Sequence, residues 1–143
     1  MARKRQTKTP SDRDAASTTA DDGTQLLRDR FEKRADRLVA AYTSSIEQDA
    51  ALLPYDVALS QAHAGMLGRQ GIIEAGDATA IVQGLAAIAA DAAAGRFVLR
   101  EELEDVHMNV EAELERRIGA PAGRVHTARS RNDQVITDFR MLV

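Results

Sequence analysis

The stretch His126-Thr127-Ala128-Arg129-Ser130-Arg131-Asn132-Asp133-Gln134-Val135 decides how this chain is to be read. It begins as an irregular polar loop and turns into a helix at a definite point. Ser130 followed three residues later by Asp133 fits a capping box, in which each side chain accepts a hydrogen bond from a backbone N–H that the helix start leaves unpaired. Beyond the cap, Val135, Phe139 and Leu142 form a helical stripe, seconded by Ile136 and Val143. That stripe is still running at Val143. The pattern predicts a fragment, or a domain cut at the start of a long helix, with a boundary between residues 129 and 130.

Upstream of the loop the apolar periodicity is helical throughout. Leu103, Val106, Val110, Leu114 and Ile118 form a seam closed by Gly119, Pro121 and Gly123. The triplet Glu101, Glu102 and Glu104 reads as acidic charge complementing the dipole at the start of that helix. Before it, Phe97-Val98-Leu99 reads as a short extended piece. Ile81, Leu85, Ile88 and Ala92 predict another helix, with Asp77 as N-cap and Gly95 as C-terminal cap. A helix starting at Pro54 carries Tyr55, Leu59, Ala62, Met66 and Leu67 inward and ends near Gly71. From Thr24, Leu27, Phe31, Ala35, Leu38 and Tyr42 mark one more helical face, broken by Thr43-Ser44-Ser45. Four amphipathic helices with short connections predict an all-α domain of paired antiparallel helices. Residues 1–23 contain no Val, Ile, Leu, Phe, Tyr or Trp and read as a disordered tail, basic at Arg3, Lys4, Arg5, Lys8 and Arg13.

The whole chain has 143 residues, enough for about one domain. No apolar run approaches the roughly 20 residues of a membrane span. The absence of Cys excludes disulfides, a thiolate zinc site and a cysteine nucleophile, and fits a reducing compartment such as the cytoplasm. A net charge of −3 with 3% aromatics argues against a nucleic-acid partner, which calls for a basic stripe and stacking platforms.

Three constellations carry possible chemistry. The 126–133 loop packs two guanidiniums, two hydroxyls, an amide and a His before a helix start, which suits a dicarboxylate or phosphate ligand. A capped helix start with solvated arginines is the other reading. His107 and Glu111 lie four apart on one helical face, a pair that could orient an imidazole or hold a metal. The two-His zinc spacing is missing there, so a surface His–Glu pair stays open as well. Thr43-Ser44-Ser45 offers hydroxyls whose ordinary meaning is capping. His63, between Leu59 and Leu67, reads as a partly buried structural histidine.

Taken together, Tyr55-Asp56-Val57-Ala58, Gln61-Ala62-His63-Ala64 with Met66-Leu67, Gln70-Gly71-Ile72-Ile73, Leu103-Glu104-Asp105-Val106-His107 and above all His126 to Val135 resemble the N-terminal part of the argininosuccinate lyases, in the fumarase/aspartase superfamily. The resemblance runs from about residue 35 to residue 143. It implies the N-terminal helical domain of the L-aspartase-like fold over residues 24–129, with 130–143 opening the first long helix of a central bundle. It implies cleavage of argininosuccinate to arginine and fumarate, without cofactor or metal, by a cytoplasmic homotetramer of arginine biosynthesis. The residues matching Ser45 and Asn132 would contact substrate; Thr127, Arg129, Ser130 and Arg131 would line the same cleft, with His107 near it. The family's catalytic serine loop and its Thr-His pair would lie beyond residue 143, so residues 1–143 alone are expected to be inactive. Two departures stand out: only Arg30 and Phe31 remain of a Trp-Gly-Gly-Arg-Phe stretch, and Tyr42-Thr43-Ser44 replaces Phe-Asn before the binding serine. These leave a second reading, a non-catalytic helical interaction module derived from the family.

Overall fold

The computed structural model describes residues 37–143. The tail over 1–23 and the helical positions Leu27, Phe31 and Ala35 lie outside the described residues. Six α-helices follow in order: α1 Arg37–Thr43, α2 Ile46–Asp49, α3 Leu53–Arg69, α4 Ala75–Ala93, α5 Val106–Ile118 and α6 Arg131–Leu142. Short 3-10 turns at Ala50–Leu52, Glu101–Leu103 and Ala120–Arg124 join them, and the described residues contain no strand.

The helix ends follow local chemistry. Pro54 sits in the first turn of α3, where its missing N–H costs nothing. α3 and α4 both end in Schellman turns: Gly71 and Gly95 take positive φ, and the next residue's N–H reaches back to Leu67 and Asp91 respectively. The expected cap at Asp77 is corrected. α4 starts two residues earlier, after Glu74, and Asp77 in its first turn pairs with Arg124 at 3.1 Å. The Asp105 side chain caps α5 by accepting from the Met108 N–H at 2.6 Å. The acidic residues Glu101, Glu102 and Glu104 therefore precede that helix instead of forming its first turn.

The core lies between α3, α4 and α5. Ile81, Leu85 and Ile88 from α4 meet Val57, Ala64 and Leu67 from α3 and Val110 and Leu114 from α5, with Ala122 and Val125 closing one end. The stripes read from α4 and α5 are thus the buried ones. The face read for α3 is corrected. Its buried side runs through Asp56, Val57, Ser60, Ala64 and Leu67, whereas Ala62 is exposed and Tyr55, Leu59 and Met66 are half-buried. Counting only apolar residues rotates the predicted face, because two polar side chains on α3 have buried partners. On α1, Leu38 and Tyr42 are 80% and 91% exposed, so that part of the predicted stripe faces away from the described domain.

Gly68 marks the closest approach of α3 to α4: a Cβ there would lie 2.5 Å from the Ala78 Cβ. A Cβ on Gly84 would instead meet the flexible end of Leu114 at 2.6 Å. Helix propensity favours alanine by about 1 kcal/mol at both positions, while overpacking costs about 1–3 kcal/mol. Gly68→Ala should therefore lower stability in urea unfolding, because neither the backbone nor a methyl can move aside. Gly84→Ala should cost less, and equal losses would contradict this account of the packing.

Candidate functional site

The loop between α5 and α6 is built from consecutive tight turns. Thr127 turns back on Arg124, its N–H and its hydroxyl both donating to the Arg124 carbonyl at 3.1 and 2.8 Å. The Arg129 N–H then donates to the His126 carbonyl at 3.0 Å. Between them Ala128 adopts φ +58°, a left-handed conformation that costs an L-residue about 1 kcal/mol. The capping box forms as read: the Asn132 N–H donates to Ser130 Oγ at 3.1 Å, and the Ser130 N–H donates to Asp133 Oδ2 at 3.0 Å. Ala128, Ser130 and Asn132 are exposed along the outer edge of this loop.

Its inner edge is held by three helices. His63 on α3 donates from Nε2 to the Thr127 carbonyl at 2.9 Å, which gives that half-buried histidine a definite structural task. Arg129 turns inward, its Nη2 donating to Ser60 Oγ at 3.3 Å and to His126 Nδ1 at 3.4 Å. Arg131 Nη1 lies 2.6 Å from Glu111 Oε1 on α5 and donates to Gln134 Oε1 at 2.8 Å. The same Glu111 oxygen lies 2.5 Å from His126 Nε2. Neither arginine is simply solvated. Both are spent partly on holding the loop, and Thr127, Arg129, Ser130, Arg131 and Asn132 come together at one place.

Beneath the loop lies a buried polar seam that the sequence did not single out. Gln134 and Asp138, one turn apart on α6, are 1% and 0% exposed. The Gln134 amide donates to Asp56 Oδ1 on α3. His107 Nδ1 on α5 lies 3.3 Å from Asp56 Oδ1 and 3.6 Å from Asp138 Oδ2. Burial by itself would raise Asp56, but hydrogen bonding and charge from His107, the Gln134 amide and the Arg129 charge hold it below the usual carboxylate range. Burial would likewise neutralise His107, yet Asp56 outweighs it and raises the imidazole pKa. Asp138, desolvated and facing the Asp56 charge, is pushed up to about 7. Glu111 is held low because His126 and Arg131 together outweigh its burial.

His107 and Glu111, expected as partners, are therefore separated in function. His107 belongs to Asp56 and Asp138, and Glu111 to His126 and Arg131. Helical spacing placed both on α5, but partners on α3, α6 and the loop compete for them and win. His107 is buried and reaches the loop only through Asp56 and Gln134. Ser45 lies at the start of α2, with its N–H donating to the Glu104 carbonyl at 2.8 Å and its hydroxyl to Asp49. Asp56, His107 and Asp138 each offer a ligand atom within 4.8 Å of the others, a set that could hold a divalent cation. The His107 imidazole, whose pKa is raised beside Asp56, and the neighbouring Arg129 favour positive charge there, and a cation would have to compete with them.

One signal for the seam was present in the sequence. Gln134 and Asp138 share one helix face, with Ile136 and Phe139 turned away from it. The predicted stripe of α6 is in fact exposed, and the polar face is the one packed on the domain.

Residues 29–143 match the family described as lyase. The chain is 50% identical to the argininosuccinate lyase of Dehalococcoides mccartyi over 117 residues, 82% of this chain and 25% of that protein. It is 52% identical to the argininosuccinate lyase of Oleidesulfovibrio alaskensis over 114 residues, and 51% identical to that of Symbiobacterium thermophilum over 120 residues. These matches cover 80% and 84% of this chain, and 25% and 26% of the relatives. The chain thus spans about a quarter of the length of the curated relatives it matches. No helix among the described residues is long and apolar enough to cross a membrane.

The seam sets a pH dependence. The folded state keeps a proton on Asp138 up to about pH 7, while the unfolded chain releases it near 3.8, so stability falls as pH rises between those values. The raised pKa of His107 adds stability below 6.5 that is lost as pH rises through its folded pKa. Asp56 and Glu111 act oppositely, losing their contribution as pH falls below 3.8 and 4.5. Thermal unfolding against pH should therefore show greatest stability in mild acid. Asp138→Asn should flatten the decline between pH 5 and 7, about where Asp138 titrates. Asp56→Asn should cost about 3 kcal/mol, since it leaves a buried charge without its partner.

Proposed function

The chain belongs to this lyase family, with the N-terminal helical part of the fumarase/aspartase fold, and from that membership we propose that it forms the substrate-binding front of an argininosuccinate lyase. The reaction is the reversible β-elimination of argininosuccinate to arginine and fumarate, in the cytoplasm and within a homotetramer. The observation that carries this reading is the 126–132 loop. Its outer edge presents the Ser130 hydroxyl and the Asn132 amide at the start of α6, where the helix dipole favours an anion. Its inner edge is fixed by His63, Glu111 and Arg129.

Elimination begins with removal of a proton from the carbon next to a succinate carboxylate. The electron pair moves into that carboxylate as an aci-carboxylate, then returns to expel the guanidino nitrogen of arginine, which leaves with a proton from an acid. Negative charge therefore grows on the carboxylate oxygens as the transition state is approached. Donors fixed in advance around those oxygens lower the barrier without reorganising. In this reading Ser45 and Asn132 contact substrate, Thr127, Arg129, Ser130 and Arg131 line the same cleft with His107 near it, and the groups that move protons come from outside residues 1–143. No step requires a cofactor or metal. Residues 130–143 begin the central bundle helix on which subunits assemble.

The test is fumarate release from argininosuccinate by the intact protein carrying this sequence. Turnover is expected from it and not from residues 1–143 alone. Asn132→Ala should lower kcat/KM by about 10- to 100-fold, the loss of one or two hydrogen bonds to a charged group. An intact protein that folds and releases no fumarate would overturn the reading in favour of a non-catalytic module.

A further inference from the structure

The geometry points to Glu111 as the positioning residue of the 126–132 loop, one carboxylate oxygen gripping both ends of the segment that carries the proposed substrate contacts. The inference rests on the argininosuccinate lyase reading for its kinetic consequence, while its structural content stands independently.

Glu111 Oε1 lies 2.5 Å from His126 Nε2 and 2.6 Å from Arg131 Nη1. His126 opens the loop and Arg131 is the first residue of α6, so both ends of a six-residue arc are fastened to one point on α5. The arc needs such a fastening. It contains Ala128 in a left-handed conformation, and Thr127 and Arg129 are paired with backbone or polar groups. Glu111 is mostly buried, its side chain 19% exposed, beside a small cavity of about 30 Å³ lined by Glu115, Ala122, Gly123, Val125 and His126. Arg131 in turn contacts Gln134, so the fastening extends into the seam that docks α6.

Glu111→Gln keeps the shape of the side chain but turns an acceptor of two charged or polar donors into one that also presents N–H groups. Glu113→Gln is the control, since Glu113, on the same helix, pairs with Arg116 and Arg117 instead of the loop. In the intact protein, Glu111→Gln should speed amide exchange across residues 126–132 at least tenfold, with α4 unchanged. KM for argininosuccinate should rise about tenfold, the cost of a wall no longer held in register, with a smaller loss in kcat. Glu113→Gln should move neither. Should Glu111→Gln not fold, Glu111→Asp carries the test, since it keeps the charge and withdraws it by one methylene. It should change exchange and KM in the same direction by at least threefold.

Unchanged exchange at 126–132 would overturn the proposal, as would a lower melting temperature with KM intact. If the wild-type protein releases no fumarate, the lyase reading falls, and the exchange experiment alone still decides whether Glu111 holds the loop.

Discussion

The structure depends on a charge cluster buried where three helices meet. Asp56 from α3, His107 from α5 and Asp138 from α6 are withdrawn from water together, with Gln134 satisfying one Asp56 oxygen and Arg129 supplying a further positive charge. Such a cluster contributes little net stability against an apolar alternative, because desolvation offsets most of the attraction. What it does impose is register. α6 can dock on α3 and α5 only where Gln134 and Asp138 meet their partners, since any other placement would leave buried charges alone. Several oxygens and Arg129 nitrogens still lack a hydrogen-bond partner, so the cluster tolerates no further loss.

That register places the loop proposed to bind substrate. α6 begins at Ser130, so fixing α6 fixes the exit of the 126–132 segment, while the Ala120–Arg124 turn fixes its entry. Between these, the loop divides its groups by direction. Guanidiniums and imidazoles point inward to Ser60, Glu111 and Gln134, and the Ser130 hydroxyl and Asn132 amide point outward. An anion approaching the outer edge meets a helix start whose position was set before it arrived, which is what stabilising a developing charge requires.

The same docking leaves the apolar face of α6 uncovered within the described residues: Val135, Ile136, Phe139, Met141 and Leu142 are all exposed. A helix with a polar face packed inward and an apolar face outward reverses the usual pattern of a globular domain. The reversal is consistent with the proposal that α6 belongs to a bundle outside this domain, with the polar face serving as the joint between the two.

Most of the secondary structure was legible in the sequence because its signals are local. The Ser130–Asp133 capping box, Pro54 in a first turn, Gly71 and Gly95 as helix terminators, and the Ile81–Leu85–Ile88 and Val110–Leu114 stripes each depend on neighbours within one or two turns. The loop that concentrates Thr127, Arg129, Ser130, Arg131 and Asn132 was visible for the same reason. What only the tertiary structure decided was the pairing of polar groups across helices. His107 and Glu111 share a helix face, yet one goes to Asp56, 51 positions before it, and the other to His126, 15 positions after it. The inward face of α3 was misread for a related cause: a buried Asp or Ser looks like surface until its partner is known. Apolar burial can be read from one helix at a time because it is non-directional, but a buried charge is stable only opposite a specific group, and that group is chosen by the fold.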